Sequence, residues 1–516
     1  AAALLAASSW KPSPAYRPAA VFLLLCAAAK WLLGDALGTR TSGAWDPNAT
    51  QPFANWQMGV ALLLFAGACG VYRVYTRRRA TAPLDESPAD EVAPVRPSAF
   101  AGGVLVVAVC FLLTALSFEV EHLIGQLETT RPTGAPRPAE DPSQTRLLWF
   151  ALLWAGGGLA ALIYGRARGI SALAAAGTAI ITLAGLTWLI PGTLSWRIVH
   201  GVTLCPVLVN ITFGIGLATA AAVFATGMLL RRDAQPGCAD VMPRAAQTAF
   251  TAVLSLVLIA LAFEIDRWLG HRAAARPEGV TPLWTSWHER ALWGTLLAAA
   301  GGLLGLVLGR WRRVPQLVVT GWALLIAAGV AWLSVGTLLP RLHHGVTLSP
   351  VVLNLQCGVG VLAAVLLAAA TWLTARDQTE CESRLVGVWL VALIGLWLGS
   401  LELDRFFAPA AARVSNPAMA RQTAWSVYWA LYAIGFVAVG FWKRSAATRY
   451  AGLGLLAITL AKVLIVDLAH VQYAYRVLSL LVVGLLLIGT SIAYSRLASV
   501  LLRPQTPTTN PTQRKE

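Results

Sequence analysis

The sequence is built from apolar stretches of about twenty residues, and no other feature limits its fold as strongly. A helix needs about 20 apolar residues to cross the roughly 30 Å hydrocarbon layer of a membrane. Fourteen stretches reach that length, near 16–37, 55–76, 99–120, 146–165, 169–190, 206–230, 246–266, 290–309, 315–338, 350–374, 384–403, 422–442, 450–470 and 475–499. Within such a layer every backbone N–H and C=O must find a partner inside the protein, which leaves α-helices and closed barrels. Barrel strands alternate apolar and polar residues, whereas runs such as Val361–Ala370 (VLAAVLLAAA) do not. The chain is therefore expected to be an all-α integral membrane protein with about 14 transmembrane helices. Charged residues are 12% of the 516, against about 25% in a soluble domain. That excludes an ordinary soluble enzyme, and it excludes disorder, which needs the opposite balance.

Orientation follows from the positive-inside rule. One set of connections is basic: Arg77-Arg78-Arg79, Arg166 with Arg168, Arg231-Arg232, Arg310 with Arg312 and Arg313, Lys443-Arg444, and the Arg514-Lys515 tail. The alternate set is longer and mixed in sign. An even number of spans with both termini cytoplasmic fits every connection. Most of the net charge of +16 then lies on the cytoplasmic side, where it reports topology. Nucleic acid is not expected as a partner; membrane lipid is, with other membrane or envelope proteins.

Internal repetition is the second strong signal. Twelve residues recur at an offset of 144, from Gly192-Thr193-Leu194, Arg197, His200-Gly201-Val202-Thr203-Leu204, Pro206-Val207 and Asn210 to Gly336-Thr337-Leu338, Arg341, His344-Gly345-Val346-Thr347-Leu348, Pro350-Val351 and Asn354. An acidic pair closes one helix in three copies: Glu119/Glu121, Glu264/Asp266 and Glu402/Asp404. The next helix opens with Arg and then Trp: Arg146 and Trp149, Arg290 and Trp293, Arg421 and Trp425. Arg17, Lys30 and Asp35 match Arg449, Lys462 and Asp467 at an offset of 432. These registers give parallel four-helix repeats, three full and one half: a half unit at 1–76, a cytoplasmic linker at 77–98, full units at 99–232, 245–376 and 384–500, and a cytoplasmic tail at 501–516. A chain that starts mid-unit is expected to extend upstream in the native protein by at least two more spans. Units of four spans keep one orientation, unlike the inverted repeats of many transporters.

The recurring polar residues gather at the outer face. Glu119, Glu121, Glu264, Asp266, Glu402, Asp404, Arg197, Arg341, Arg476, His200 and His344 form the candidate constellation. Two readings stand. In one, carboxylates, Arg, His and Trp line a site for a saccharide or a lipid headgroup. In the other, they form a structural clasp within each four-helix unit. Recurrence in every copy favours the clasp, because an enzyme needs one active site whereas each unit needs its own tie. The i,i+2 spacing of each pair turns its carboxylates to different faces, one toward its own unit and one toward the next. Lys30 and Lys462 lie about 20 Å up their helices at 1.5 Å per residue, inside the apolar layer, where charges are usually paired. Asp35 and Asp467 lie roughly 140° around the helix from them, so an acid on a neighbouring helix, such as Glu402 or Asp404, is the expected partner.

No metal or cofactor is expected. His122 next to Glu119 and Glu121 is replaced by Arg267 in the following copy, and His200 and His344 lack a second ligand common to both. No CxxC occurs among seven cysteines, and no phosphate-binding glycine loop or serine-nucleophile motif is present. The glycines, as in Gly156-Gly157-Gly158 and Gly301-Gly302, are assigned to close helix packing.

The last unit also carries a set that runs Arg421, Trp425, Tyr428-Trp429-Ala430-Leu431-Tyr432, then Arg449-Tyr450-Ala451-Gly452-Leu453, Lys462 through Asp467-Leu468, and Arg476-Val477-Leu478-Ser479-Leu480 with Gly484. It resembles the C-terminal signature of a large family of bacterial predicted membrane proteins, long and polytopic, classed as a domain of unknown function. The resemblance is specific over about 421–495. It implies a bacterial inner membrane and no particular activity. The expectation is a non-enzymatic scaffold or accessory subunit of a membrane or envelope assembly. The alternatives are a transporter or envelope lipid/saccharide handling protein and, third, a membrane-embedded hydrolase or transferase.

Overall fold

The computed structural model describes residues 16–41, 46, 48–80, 99–131, 141–232, 243–277, 286–345, 349–375, 381–408 and 417–467, with 484–485, 488–489 and 491–492. Among them every regular element is a helix. Among the described residues thirteen helices are long and apolar enough to cross a membrane. We number them α1 (Tyr16–Lys30, continued by Trp31–Gly38), α2 (Trp56–Ala80), α3 (Ala99–Thr129), α4 (Pro142–Ala167), α5 (Ser171–Leu189, continued by Ile190–Leu194 and Ser195–His200), α6 (Ile211–Arg232), α7 (Arg244–Ala274), α8 (Ser286–Arg312), α9 (Pro315–Leu333, continued by Ser334–Leu338 and Leu339–His344), α10 (Leu355–Leu373), α11 (Cys381–Phe407), α12 (Pro417–Trp442) and α13 (Ala446–Lys462, continued by Val463–Asp467). The fourteenth expected span, 475–499, lies almost wholly outside the described residues, as do 81–98 and 501–516.

Two compact units are present, one of residues 1–280 with 301–324 and one of residues 281–300 with 325–516. In the first, α4 and α5 pack so closely that a Cβ on Gly158 would come within 2.9 Å of the Gly177 carbonyl oxygen, and one on Gly177 within 2.6 Å of the Leu162 nitrogen. Gly321 meets the Gly302 carbonyl at 2.7 Å in the same way, and in the second unit Gly452 meets the Ala433 carbonyl at 2.9 Å. Small residues let helix backbones approach where no water drives association, which is the role expected for the glycine runs.

Helix starts are set by side chains. Asn354 accepts from Cys357 N at 2.8 Å, Ser445 from Thr448 N at 3.4 Å, and Asp141, before Pro142, from Ser143 N at 2.9 Å. Each satisfies an N–H that the helix cannot. The π-helical continuations of α1, α5, α9 and α13 fall at one place in the repeat. The carbonyls inside three of them are met from outside: Asp35 O by Gln57 Nε2 (2.8 Å), Gly192 O by Gln144 Nε2 (2.9 Å), and Gly336 O by His288 Nε2 (2.7 Å) and Gln356 Nε2 (2.6 Å). A carbonyl only accepts, so the His288 nitrogen carries the proton. At or just before the start of each of these breaks a buried Trp reaches the start of the following helix: Trp31 to Gln57 O, Trp188 to Thr212 O and Trp332 to Gln356 O, at 2.9, 2.9 and 3.0 Å.

Adjacent glycines in α4 give a direct test of the close packing. Gly158→Ala is expected to lower stability by about 2 kcal/mol through overpacking. Gly156→Ala, with nothing within 4 Å of its Cβ position, is expected to raise it by up to about 1 kcal/mol through helix propensity. Unfolding midpoints in one detergent measure both. A second expectation concerns pH. The hydroxyl and N–H of Ser143 hold the Asp141 carboxyl below its ordinary range. The stabilisation is therefore full above the unfolded pKa of about 3.9 and is lost as pH falls through the lower folded value. Asp141→Asn, which keeps the cap, should flatten the stability profile below about pH 4.

Candidate functional site

The acidic pairs lie within their helices. α3 runs on to Thr129 and α7 to Ala274, two turns beyond the carboxylates, and α11 continues to Phe407. The expectation that the pair closes the helix is corrected for that reason. Each α3-type helix is 31 residues long in the first two copies, about 46 Å at 1.5 Å per residue, so it outruns the hydrocarbon layer and needs no stop at the acids.

The first acid of each pair does the same thing three times. Glu119 accepts from Phe53 N at 2.7 Å and from Asn55 Nδ2 at 2.8 Å. Glu264 accepts from Leu208 N at 2.6 Å and Asn210 Nδ2 at 3.0 Å. Glu402 accepts from Val352 N at 2.7 Å and Asn354 Nδ2 at 3.1 Å. The same asparagines cap the next helix, accepting from Met58 N, Phe213 N and Cys357 N at 2.8 Å each. Phe53, Leu208 and Val352 have φ of 61°, 63° and 64°. That left-handed backbone is costly for residues with a Cβ, and here it turns the N–H onto the carboxylate, where a charge-assisted hydrogen bond offsets the strain.

Three residues on, one turn along the helix, stands His122, Arg267 or Arg405. His122 Nδ1 lies 3.7 Å from Glu119, Arg267 pairs with Glu264, and Arg405 pairs with both Glu402 and Gln356. The second acid takes an arginine from the segment just past the π turn. Arg40 Nε donates to Glu121 at 2.9 Å, Arg197 pairs with Asp266, and Arg341 pairs with Asp404, with Arg421 also 3.8 Å from Asp404. Arg40 rests on the Phe118 ring at 4.3 Å, and Arg341 lies between Trp397 and Trp425 at 5.7 and 5.0 Å.

In all three copies both carboxylates turn to the preceding repeat, one to its Asn loop and the other to its Arg. The expected division, one face to the own unit and one to the next, is corrected. The two ends flank the acidic helix, so opposite faces reach two parts of one neighbour. From their own repeat, Arg421 joins Asp404, and His122, Arg267 and Arg405 stand beside the first acids. Each clasp thus ties an acidic helix to the two spans that precede it.

Sequence reasoning missed Arg40 and Arg405. Aligning Trp31 with Trp188 and Trp332 sets Arg40 beside Arg197 and Arg341; Arg405 is found by its i,i+3 spacing from Glu402. The lysines also differ from expectation. Lys462 Nζ donates to Gln422 O at 3.0 Å and Ser426 Oγ at 2.6 Å, while Glu402 and Asp404 are engaged by arginines. Lys30 lies 3.7 Å from Asp35; the i→i+5 winding of the intervening π segment brings the two closer than an α-helix would. Arg476 and the side chains of Asp467 and His344 fall outside the described residues. His200 stacks on Trp196 at 3.9 Å, and His271 Nε2 donates to Cys205 O at 2.8 Å. Among the described residues no group of His, Cys, Asp and Glu is arranged to hold a metal.

A family model described as Predicted membrane protein (DUF2339) matches residues 175–497, more than half of the chain. The chain belongs to that family. No curated protein and no solved structure matches it. The matched region of this DUF2339 member contains the second and third clasps and all of α6 to α13; the first clasp lies before it.

Removing one charge from a buried pair strands the other and typically costs about 3–5 kcal/mol. Glu264→Gln leaves the buried Arg267 without its carboxylate and should destabilise by about 3 kcal/mol. The double variant Glu264→Leu/Arg267→Leu should recover most of that loss. A double-mutant cycle on unfolding midpoints checks both.

Proposed function

We propose that this membrane protein is a non-enzymatic scaffold or accessory subunit of a membrane or envelope assembly, in a bacterial inner membrane with both termini cytoplasmic. One observation carries the reading. Each of the six clasp carboxylates is met by arginine, asparagine or backbone N–H of the same chain. A polar cluster in which each of these carboxylates is paired within the chain, three times over, serves the array of repeats. The alternation of basic connections supports the orientation, and the family description supports no narrower role.

The test is Glu402→Gln/Asp404→Asn. We expect lower abundance of folded protein, with any envelope phenotype falling in proportion. A variant that folds at wild-type abundance yet loses the phenotype overturns the clasp reading. Purification of the wild type in mild detergent should retain a membrane or envelope protein in fixed ratio.

One feature favours a second reading, a transporter or a lipid/saccharide handling protein. Four helices carry a π segment at the same repeat position, and π windings are frequent at functional sites. Solute flux into vesicles carrying the purified protein would select that reading over the scaffold.

A further inference from the structure

Six Asp, Glu, Lys or Arg side chains are buried among the described residues: Glu119, Glu264, Arg267, Asp404, Arg405 and Arg449. Five belong to the clasps and are met there by partners of the chain. Arg449 is not among them. It stands in the first turn of α13, is 7% exposed, and its Nε and Nη1 make no hydrogen bond. A guanidinium does not lose its proton in a protein, and a charge in an apolar surrounding is costly and normally paired. No acidic residue occurs anywhere between Asp404 and Asp467, so neither α12 nor α13 up to Lys462 offers a counter-charge.

Closing the hairpin does not require this arginine. The α4–α5, α8–α9 and α12–α13 hairpins are built alike. The N–H groups of Ile170, Val314 and Ser445 bond back to the carbonyls of Gly165, Gly309 and Gly440 at 2.6, 2.7 and 2.9 Å. The residue before each bond is left-handed: Gly169, Arg313 and Arg444, with φ of 67°, 56° and 52°. Nine positions after the glycine comes the residue packed on it, which is Ala174, Val318 or Arg449. Alanine and valine fill that place in two hairpins.

The arginine is turned toward the helix start. Side chains on a helix lean toward its N-terminus, and the guanidinium carbon lies 5.1 Å from the centroid of Phe441, back at the hairpin. The first N–H groups of α13 have no intrahelical partner, and a helix N-terminus attracts anions. Lys443 and Arg444 add charge in the turn itself.

We propose that Arg449, with the start of α13 and the Lys443-Arg444 turn, binds a phosphate group, either the headgroup of an anionic phospholipid or a soluble phosphate. A guanidinium pairs with phosphate through two parallel N–H bonds. The hairpin joins two spans, so it lies at headgroup level when the helices cross the membrane. The proposal is independent of the scaffold reading.

The full chain, stripped of lipid in mild detergent, is titrated with dihexanoyl-phosphatidylglycerol and separately with inorganic phosphate while the unfolding temperature is followed. The wild type should show a saturable rise. Arg449→Val, which installs the residue found at 318, should raise the half-saturating concentration at least tenfold. A rise with the lipid alone assigns the site to a headgroup; an equal rise with inorganic phosphate assigns it to a soluble anion. Should Arg449→Val fail to fold, Arg449→Gln is titrated in its place. A half-saturation in the folded variant equal to that of the wild type, or no rise in the wild type with either probe, overturns the proposal.

Discussion

A backbone carbonyl in an apolar layer has to be met from within the protein, and the π segments follow from how this chain meets that demand. Winding i→i+5 takes a carbonyl off the regular ladder. The oxygens of Asp35, Gly192 and Gly336 are then taken by side chains of other helices, Gln57, Gln144, His288 and Gln356. Each such bond fixes a helix start against the break. Five residues after each of these carbonyls comes the arginine that meets an acid: Arg40, Arg197 and Arg341. The break and the clasp are therefore one device. The first exposes an acceptor that docks a neighbour, and the second uses the redirected chain to reach the next repeat.

What the clasp supplies is register more than raw stability. Buried ion pairs are weak evidence for stability, because the desolvation of both charges offsets much of their attraction. Geometry is another matter. Glu264 needs an N–H from a left-handed Leu208, an amide from Asn210 and a guanidinium from Arg267, while Asp266, two residues on, needs Arg197. A slide of the acidic helix by one residue would turn these groups by about 100° and strand two carboxylates. Only one alignment of consecutive repeats satisfies all of them. An apolar helix surface offers no comparable penalty for sliding, since one face of alanine and leucine is much like the next.

The apolar run lengths made the helices legible, the offset of 144 made Arg197 with Arg341 and Asn210 with Asn354 legible as equivalents, and the i,i+2 pairing did the same for the acids. The backbone was not legible. Nothing in the residue types of Phe53, Leu208 or Val352 announces a positive φ, since all three disfavour it; the strain is accepted because a carboxylate one helix away receives the N–H. The π segments were hidden likewise, and with them the angular placement of Lys30 and Asp35, which assumed a regular helix. Lys462 shows the same limit from another side. Its depth was readable by counting residues, but its contacts with Gln422 and Ser426 depend on which helix lies beside it.

Comparison among the copies separates residues that answer to the fold from those that do not. Where the copies agree, as at Asn55, Asn210 and Asn354, the same packing problem has the same solution each time. Where they differ, the fold has left the position open. His122 stands where Arg267 and Arg405 stand; at that site a basic side chain beside the glutamate suffices, so the difference is absorbed locally. Arg449 stands where Ala174 and Val318 stand, and there the difference is not absorbed. The place accepts two apolar side chains that need nothing, and holds instead a permanent cation whose Nε and Nη1 are left without hydrogen bonds. Among the described residues the packing neither requires nor neutralises this charge, and the phosphate proposed for Arg449 would supply the counter-charge.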